Sequence, residues 1–418
     1  MIFWAGQTCS VLGDAFALIA IPLLVLNATG SLAKMGLVTA AFGAGSLVAG
    51  ILAGPLVDRV DRRKLMIRCD LGRAVVYGLI PLTWWLVGPQ IWLIYAVTVV
   101  GAGLGMIFGV AYITAVANLV DRSQITEANG RLQATYAAAF ALGPVLAGLI
   151  SGQFGPTAAI GVDATTFLAS AASLSAVRLR RAAAVRPAGE PAGRKQEFLA
   201  GIRFLIEDPI FRWITFLLGA LAFLATGATD LFIYYLRTNL GQGDRAVGVV
   251  FGIASIGAML AGLFASRLRR RWGFGSLFIG GLLLQGISLA VAGLAPTVVV
   301  VVLITVVYTF AESIRGVVTM SLRQELTPDH LLGRVTAAFW TVFSVPGPLG
   351  AAAITAIGAR AGAPRTLVVM GLLILALGAL AARSPVRVRQ PGRGRPDLDA
   401  PRPEPGAIPD GRPIAVDS

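Results

Sequence analysis

The sequence predicts an all-α membrane protein, with twelve transmembrane helices in two pseudo-symmetric six-helix bundles. Three observations lead there. First, the 418 residues are 56% hydrophobic and only 13% charged, with a mean hydropathy of +0.77; soluble domains carry about 45–50% apolar and about 25% charged residues. So much apolar chain cannot be hidden inside a water-soluble core, which excludes a single soluble enzyme, a secreted disulfide scaffold and a disordered chain. Second, apolar runs of the roughly 20 residues that cross a bilayer recur along the chain. Third, basic residues collect in alternate loops, as they do in multi-pass proteins.

The spans, in order, are 2–27, 34–56, 71–88, 91–118, 131–153, 157–178, 210–236, 246–266, 274–294, 297–320, 335–358 and 364–383. Met1-Ile2-Phe3-Trp4 lacks a basic start, and its apolar stretch runs on to Leu26. That is too long for a signal-peptide core, so it reads as a retained first span. Gly88-Pro89-Gln90 and Ala295-Pro296 are tight turns with almost no loop. Residues 179–209, with Arg180, Arg181, Arg194, Lys195, Pro187 and Pro191, form a linker suited to an anionic inner membrane surface. It divides the chain into an N-terminal bundle (1–178) and a C-terminal bundle (210–383). Residues 384–418 are rich in Pro, Arg, Gly and Asp, which predicts a disordered cytoplasmic tail.

Loops after even-numbered spans are strongly basic, whereas loops after odd-numbered spans hold only Lys34, Arg237, Arg245, Arg360 and Arg365. The bias places the even-side loops and both termini in the cytoplasm. A net charge of +14 in a soluble protein would suggest nucleic acid; here it is a topology signal, and no nucleic-acid partner is expected. Cys9, Cys69 and His330 are too few for a zinc site or a disulfide framework, so no metal or cofactor is expected. High Ala, Gly and Arg usage fits a GC-rich bacterial genome and hence a bacterial plasma (inner) membrane.

The halves carry traces of a repeat. Gly54-x-x-x-Asp58-Arg59 is echoed by Gly262-x-x-x-Ser266-Arg267, Gly130-Arg131 by Gly333-Arg334, and Gly143-Pro144 by Gly347-Pro348, at offsets of 203 to 208 residues. Parallel six-helix halves with a site at their interface are a transporter architecture.

Two motifs add a family resemblance over residues 1–383. Gly54-Pro55-Leu56-Val57-Asp58-Arg59-Val60-Asp61-Arg62-Arg63-Lys64 resembles the signature G-x-x-x-D-R-x-G-R-R/K between the second and third spans of the major facilitator superfamily. Asp61 stands where that signature has its second glycine, a change expected to loosen the turn. Ala139-Phe140-Ala141-Leu142-Gly143-Pro144-Val145-Leu146-Ala147-Gly148 is similar to its antiporter motif G-x-x-x-G-P-x-x-G-G, with alanines at two glycine positions. Siderophore-exporter and macrolide-efflux-like drug exporters are the branch it resembles. The resemblance implies that Gly54, Asp58, Arg59, Arg62 and Arg63 form an inner gate. Asp58 would accept from the start of span eleven near Val335, where the helix dipole favours an anion. A plain basic topogenic loop is the alternative. Gly143, Pro144 and Gly148 would mark an exporter; an ordinary proline kink is the alternative. Drug–proton antiporters of the family often carry an arginine motif in span four. Residues 91–118 contain no charge, only a packing stripe of Gly101, Gly105 and Gly109, so coupling cannot use that arginine.

An ionisable group inside a span is costly and usually faces a cavity or a partner. Asp14, mid-span after Gly13, is the candidate proton-coupling residue: such a carboxyl can take up a proton on one side and release it on the other. A packing role, with the carboxyl satisfied by local hydroxyls, is the alternative. Glu312 and Arg315, three apart in span ten, share a helical face and read as an ion pair or as cavity and gating residues. Asp230 and Asp163 lie toward the outer ends of spans seven and six, within reach of headgroups, and Asp230 is a further cavity or gating candidate. Tyr234, Tyr235, Trp84, Trp85 and Trp92 fit an outer aromatic belt. Glu127, Asn129, Arg131 and Gln133 frame one inner loop and Glu325, Asp329 and Arg334 its counterpart, suggesting ion pairs across the halves (Glu127, Arg131, Glu325, Arg334) or simply solvated helix ends.

So few charges within the spans imply a mostly apolar cavity. The expected function is secondary active transport by alternating access, as proton-coupled efflux of an amphipathic or hydrophobic small molecule such as a drug, secondary metabolite or siderophore. The expected partners are that solute, the proton and membrane lipid, and the working unit is a monomer. One alternative is a lysophospholipid or other lipid-related transporter of the same fold. The other is a non-transporting membrane protein, an enzyme or sensor; no catalytic set of nucleophile and base supports the enzyme.

Overall fold

Apolar runs set where helices lie, and local caps set where they begin. The structure, a computed structural model, describes residues 2–119, 125–176, 194–328 and 331–389, without a strand among them. The first half comprises α1 (Ile2–Thr29), α2 (Leu32–Arg59), α3 (Arg62–Leu86), α4 (Ile91–Leu119), α5 (Ile125–Phe154) and α6 (Pro156–Ala176). A further helix, α7 (Arg194–Glu207), precedes the second half. That half comprises α8 (Pro209–Ala225), α9 (Ala228–Tyr234) with a π-turn at Tyr235–Asn239, α10 (Asp244–Ala292), α11 (Val298–Leu326), α12 (Leu332–Ser344), α13 (Pro346–Ala361) and α14 (Ala363–Ala382).

Ten stretches among the described residues are long and apolar enough to cross a membrane. Twelve spans follow once two features are read. α10 is two helices meeting at Gly273, whose φ of 80° breaks the helical run in a region that favours glycine. α3 crosses as well, although its Arg and Asp residues keep its hydropathy low. Spans seven and eleven are each assembled from two shorter helices, the second around Val345-Pro346.

The third span starts at Arg62 rather than at 71. The Asp61 carboxylate accepts a hydrogen bond from the Lys64 backbone N–H at 3.1 Å and caps the helix, satisfying a donor that the first turn leaves open. The residue expected to loosen this turn therefore fixes it. Arg63 donates from Nε to the Leu174 carbonyl at 2.8 Å and from Nη2 to that of Ser175 at 2.5 Å, closing the last turn of α6.

The matching turn of the second half is held differently. The N–H groups of Phe274 and Gly275 donate to the carbonyls of Arg389 and Val388 at 3.0 and 3.3 Å, and Arg389 donates to the Arg271 carbonyl at 2.8 Å. Ser384 and Val386 are buried around a 3-10 turn at Pro385–Arg387. The first residues after α14 are thus an ordered strap; from 390 onward the expected tail lies outside the described residues. So do residues 177–193 of the linker, whereas α7 packs on α12, with the Arg334 carbonyl against Gly201.

Within the first half α1 packs against α5 and α6, and α3 against α4 and α6; within the second, α10 packs against α11 and α14, and α13 against α8. The halves meet along two seams, α2 with α13 and α5 with α10.

Candidate functional site

Glycine decides how closely the seams approach. A Cβ on Gly148 would stand 2.6 Å from the Gly248 Cα, and one on Gly43 or Gly36 would strike Pro348 or Thr355. Gly143 of the same motif rests on Ala15 of α1, and the Pro144 carbonyl lies 2.4 Å from where Gly248 would carry a Cβ. Gly143, Pro144 and Gly148 therefore serve packing onto α1 and across the halves. At the same end Asn27 of α1 donates to Asp244 at 3.0 Å and accepts from Arg237 at 2.9 Å, and Arg237 pairs with Asp244 at 3.1 Å. Sequence reasoning treated Arg237 only as an outer-loop charge and missed this three-residue link between halves.

The opposite end is the basic one. Gly54 and Gly262 have nothing within 4 Å of a built Cβ. The Asp58 side chain lies outside the described residues, and Arg59 is exposed. The side chains of Glu127 and Arg131 lie outside the described residues too, as do Asp329 and His330. Glu325 pairs with Arg269 of its own half at 2.5 Å, where α10 and α11 run side by side. Arg334 lies at the start of α12 beside α7.

Between the seams lies a cavity of about 500 Å³, within the range of small-molecule sites. Its walls are mostly apolar, including Leu47, Ile51, Met106, Leu221, Trp340 and Phe343, with Glu312, Arg315 and Gln285 among the polar groups of the second half. Glu312 is open to the cavity, while Arg315 is buried, and the two make no ion pair among the described residues. Arg315 Nε and both amide atoms of Gln285 lack a hydrogen-bond partner. Sharing a helical face brought these side chains to one cavity without forming an ion pair among the described residues. Nearby, the buried Arg323 guanidinium sits 4.4 Å from the Phe339 ring and 5.6 Å from that of Trp340, supporting the aromatic wall from behind.

The second polar centre lies inside the first half. Asp14 of α1 is ion-paired with Arg73 of α3, the carboxyl half-exposed and the guanidinium buried. Asp70 stands 3.9 Å from the same guanidinium, and the Phe167 ring lies 3.8 Å beneath it. On α4, Gly105 leaves room for the Arg73 guanidinium and Gly101 for the Tyr77 ring, while Gly109 faces open space. The packing stripe of the uncharged fourth span thus accommodates an arginine supplied by the third. Sequence reasoning missed Asp70 and Arg73; two opposite charges three residues apart, where the basic loop gives way to the apolar run, were the available signal. Asp163 is fully buried against Gly13 and Thr166 rather than near headgroups. Asp230 is buried as well, with neither oxygen hydrogen-bonded. Trp85 and Trp92 are exposed, but Tyr235 is buried and donates to the Ala295 carbonyl at 2.6 Å, so it is no belt residue.

The Major Facilitator Superfamily profile matches residues 3–351. The chain belongs to the Major Facilitator Superfamily. It is a multi-pass membrane transporter, not an enzyme. Multidrug efflux pump Tap of Mycolicibacterium fortuitum is 26% identical over 93% of this chain and 96% of its own length. Macrolide efflux protein A of Streptococcus pyogenes is 24% identical over 90% and 93%, and enterobactin exporter EntS of Escherichia coli 24% over 91% and 90%. Among solved structures, the nucleoside transporter NupG superposes with a TM-score of 0.74 at 12% identity, covering 91% of this chain and 98% of that one. A bacterial homologue of the lysosomal transporter Spinster, captured inward-facing, gives 0.71 at 14%, covering 91% and 96%. These superpositions establish the shared fold.

Proposed function

We propose that the protein exports an amphipathic or hydrophobic small molecule from the cytoplasm in exchange for protons. The observation that carries this reading is the pairing of two separate centres: an apolar cavity between the halves, and an ion-paired, half-exposed Asp14 outside it. A cavity of this kind takes a solute held mainly by apolar contact, with Glu312, Arg315 and Gln285 orienting its polar end. Asp14 is the proton carrier, since protonating it releases Arg73. The relatives named for drug, macrolide and enterobactin export support efflux over import.

The basic end is read as cytoplasmic, together with both termini, on the strength of the loop charges. The structure then corresponds to an inward-open state, sealed outside by Asn27, Arg237 and Asp244. The Gly54–Arg63 turn, with Asp58 reaching the start of α12, would close the inner side in the alternate state. One chain encloses the whole cavity, which supports a monomer as the working unit, built as bundles 1–178 and 210–383.

The test is efflux from an export-deficient bacterial host expressing the chain, with and without an uncoupler. Asp14→Asn should abolish gradient-driven efflux while the protein stays folded in the membrane. Full-rate pumping by Asp14→Asn would overturn the proton-carrier role. Transport only of lysophospholipid in reconstituted vesicles, with no need of a gradient, would favour a lipid transporter instead.

A further inference from the structure

We propose that Asp163 is a second proton site, coupled to Asp14 through Arg73 as their shared counter-ion. This rests on reading Asp14 as the proton carrier. Arg73 is only 2% exposed, and a buried guanidinium needs an anion. The titratable groups facing it are Asp14 from α1, Asp70 and Tyr77 from α3, Tyr136 from α5 and Asp163 from α6. α4 contributes only Gly105. Three carboxyls therefore compete for one cation.

In this structure Asp14 holds it. Asp163 is 0% exposed, and neither of its oxygens has a hydrogen-bond partner. An ionised carboxylate left unpaired in such surroundings is strongly disfavoured, so Asp163 carries a proton while Arg73 sits on Asp14. Asp70 is tethered one helical turn from Arg73 on the same helix and does not depend on the guanidinium changing helices.

Gly13 links the two sites. A Cβ at that position would lie 2.3 Å from Asp163 Oδ1 and 2.3 Å from Thr166 Oγ1. Asp163 is thus lodged against the very turn of α1 that carries Asp14. The exchange is balanced. The O–H bond of Asp163 breaks, an O–H bond forms on the Asp14 carboxylate, and the guanidinium passes from α1 to α6 with no change in cluster charge. The Phe167 face beneath Arg73 attracts the cation without fixing its direction, so the guanidinium can slide between partners. Because Asp14 is half-exposed and Asp163 sealed, the step moves a proton between an open and a closed compartment.

Infrared difference spectroscopy on the full chain in liposomes tests this through the carbonyl stretch of protonated carboxyls. At neutral pH the wild type should show a band that Asp163→Asn lacks, with Asp70→Asn used to subtract any Asp70 contribution. The same band should vanish in Asp14→Asn, where Arg73 turns to Asp163 and ionises it. Should Asp163→Asn fail to insert, Asp163→Glu should shift the band. A wild type without the band, a band unchanged in Asp14→Asn, or one unshifted in Asp163→Glu would overturn the proposal. The measurement involves no transport, so its failure is distinct from continued efflux by Asp14→Asn.

Discussion

In the first half buried charges face one another: Arg73 is held by Asp14, flanked by Asp70 and seated on Phe167. In the second half they form no ion pair with one another among the described residues. Glu312 opens to the cavity, Arg315 is buried without an ion pair among the described residues, and Arg323 rests on Phe339 and Trp340. Charges that satisfy one another can exchange protons without a ligand, whereas charges left facing a cavity are available to one. On this contrast the first half is suited to coupling and the second to recognition, although both descend from the same repeated sequence pattern.

The largest effect should come from the ion-paired arginine. Arg73→Ala leaves the fully buried Asp70 without its neighbouring cation, and an uncompensated buried charge costs about 3–5 kcal/mol. Arg73→Ala should therefore sharply lower the thermal stability of the detergent-solubilised protein. Arg315→Ala, which breaks no pair, should cost less, about 1–3 kcal/mol for lost packing and polar contact. Equal losses for the two variants would erase the contrast.

Next in size is Glu312→Gln. It should leave thermal stability near wild type and lower efflux of an amphipathic amine about tenfold, equivalent to about 1.4 kcal/mol. Efflux rates unchanged beside normal expression would remove Glu312 from solute recognition.

The smallest effect concerns the paired turns. Asp61→Ala removes a helix cap and should cost about 1 kcal/mol, read as a modest fall in the melting temperature of the solubilised protein. The equivalent turn at Gly273 is held by Val388 and Arg389, so Asp61→Ala should leave it undisturbed. Faster proteolysis at that second turn in the variant would show that the two turns are not independent.

Much of this architecture is legible in the chain. Apolar runs gave the helices, because a bilayer leaves no alternative for backbone hydrogen bonding. The rarity of charge within the spans singled out Asp14 and Glu312. The start of α3 was misplaced because apolarity marks the part of a helix in lipid, while Asp61 marks where the helix begins.

What the sequence alone determined is the number of spans, the division into halves and the side on which basic residues gather, since all three depend on neighbours along the chain. Tertiary structure decided the rest. Arg63 closes α6 111 residues away, Arg73 finds Asp14 59 residues away, and the strap at Val388 and Arg389 secures the Gly273 turn. Helical periodicity tells which face a side chain occupies, but not which helix lies against that face. Only the packing of α1, α3, α4 and α6 set three carboxyls around one arginine, with Gly13 and Gly105 leaving the room to do so.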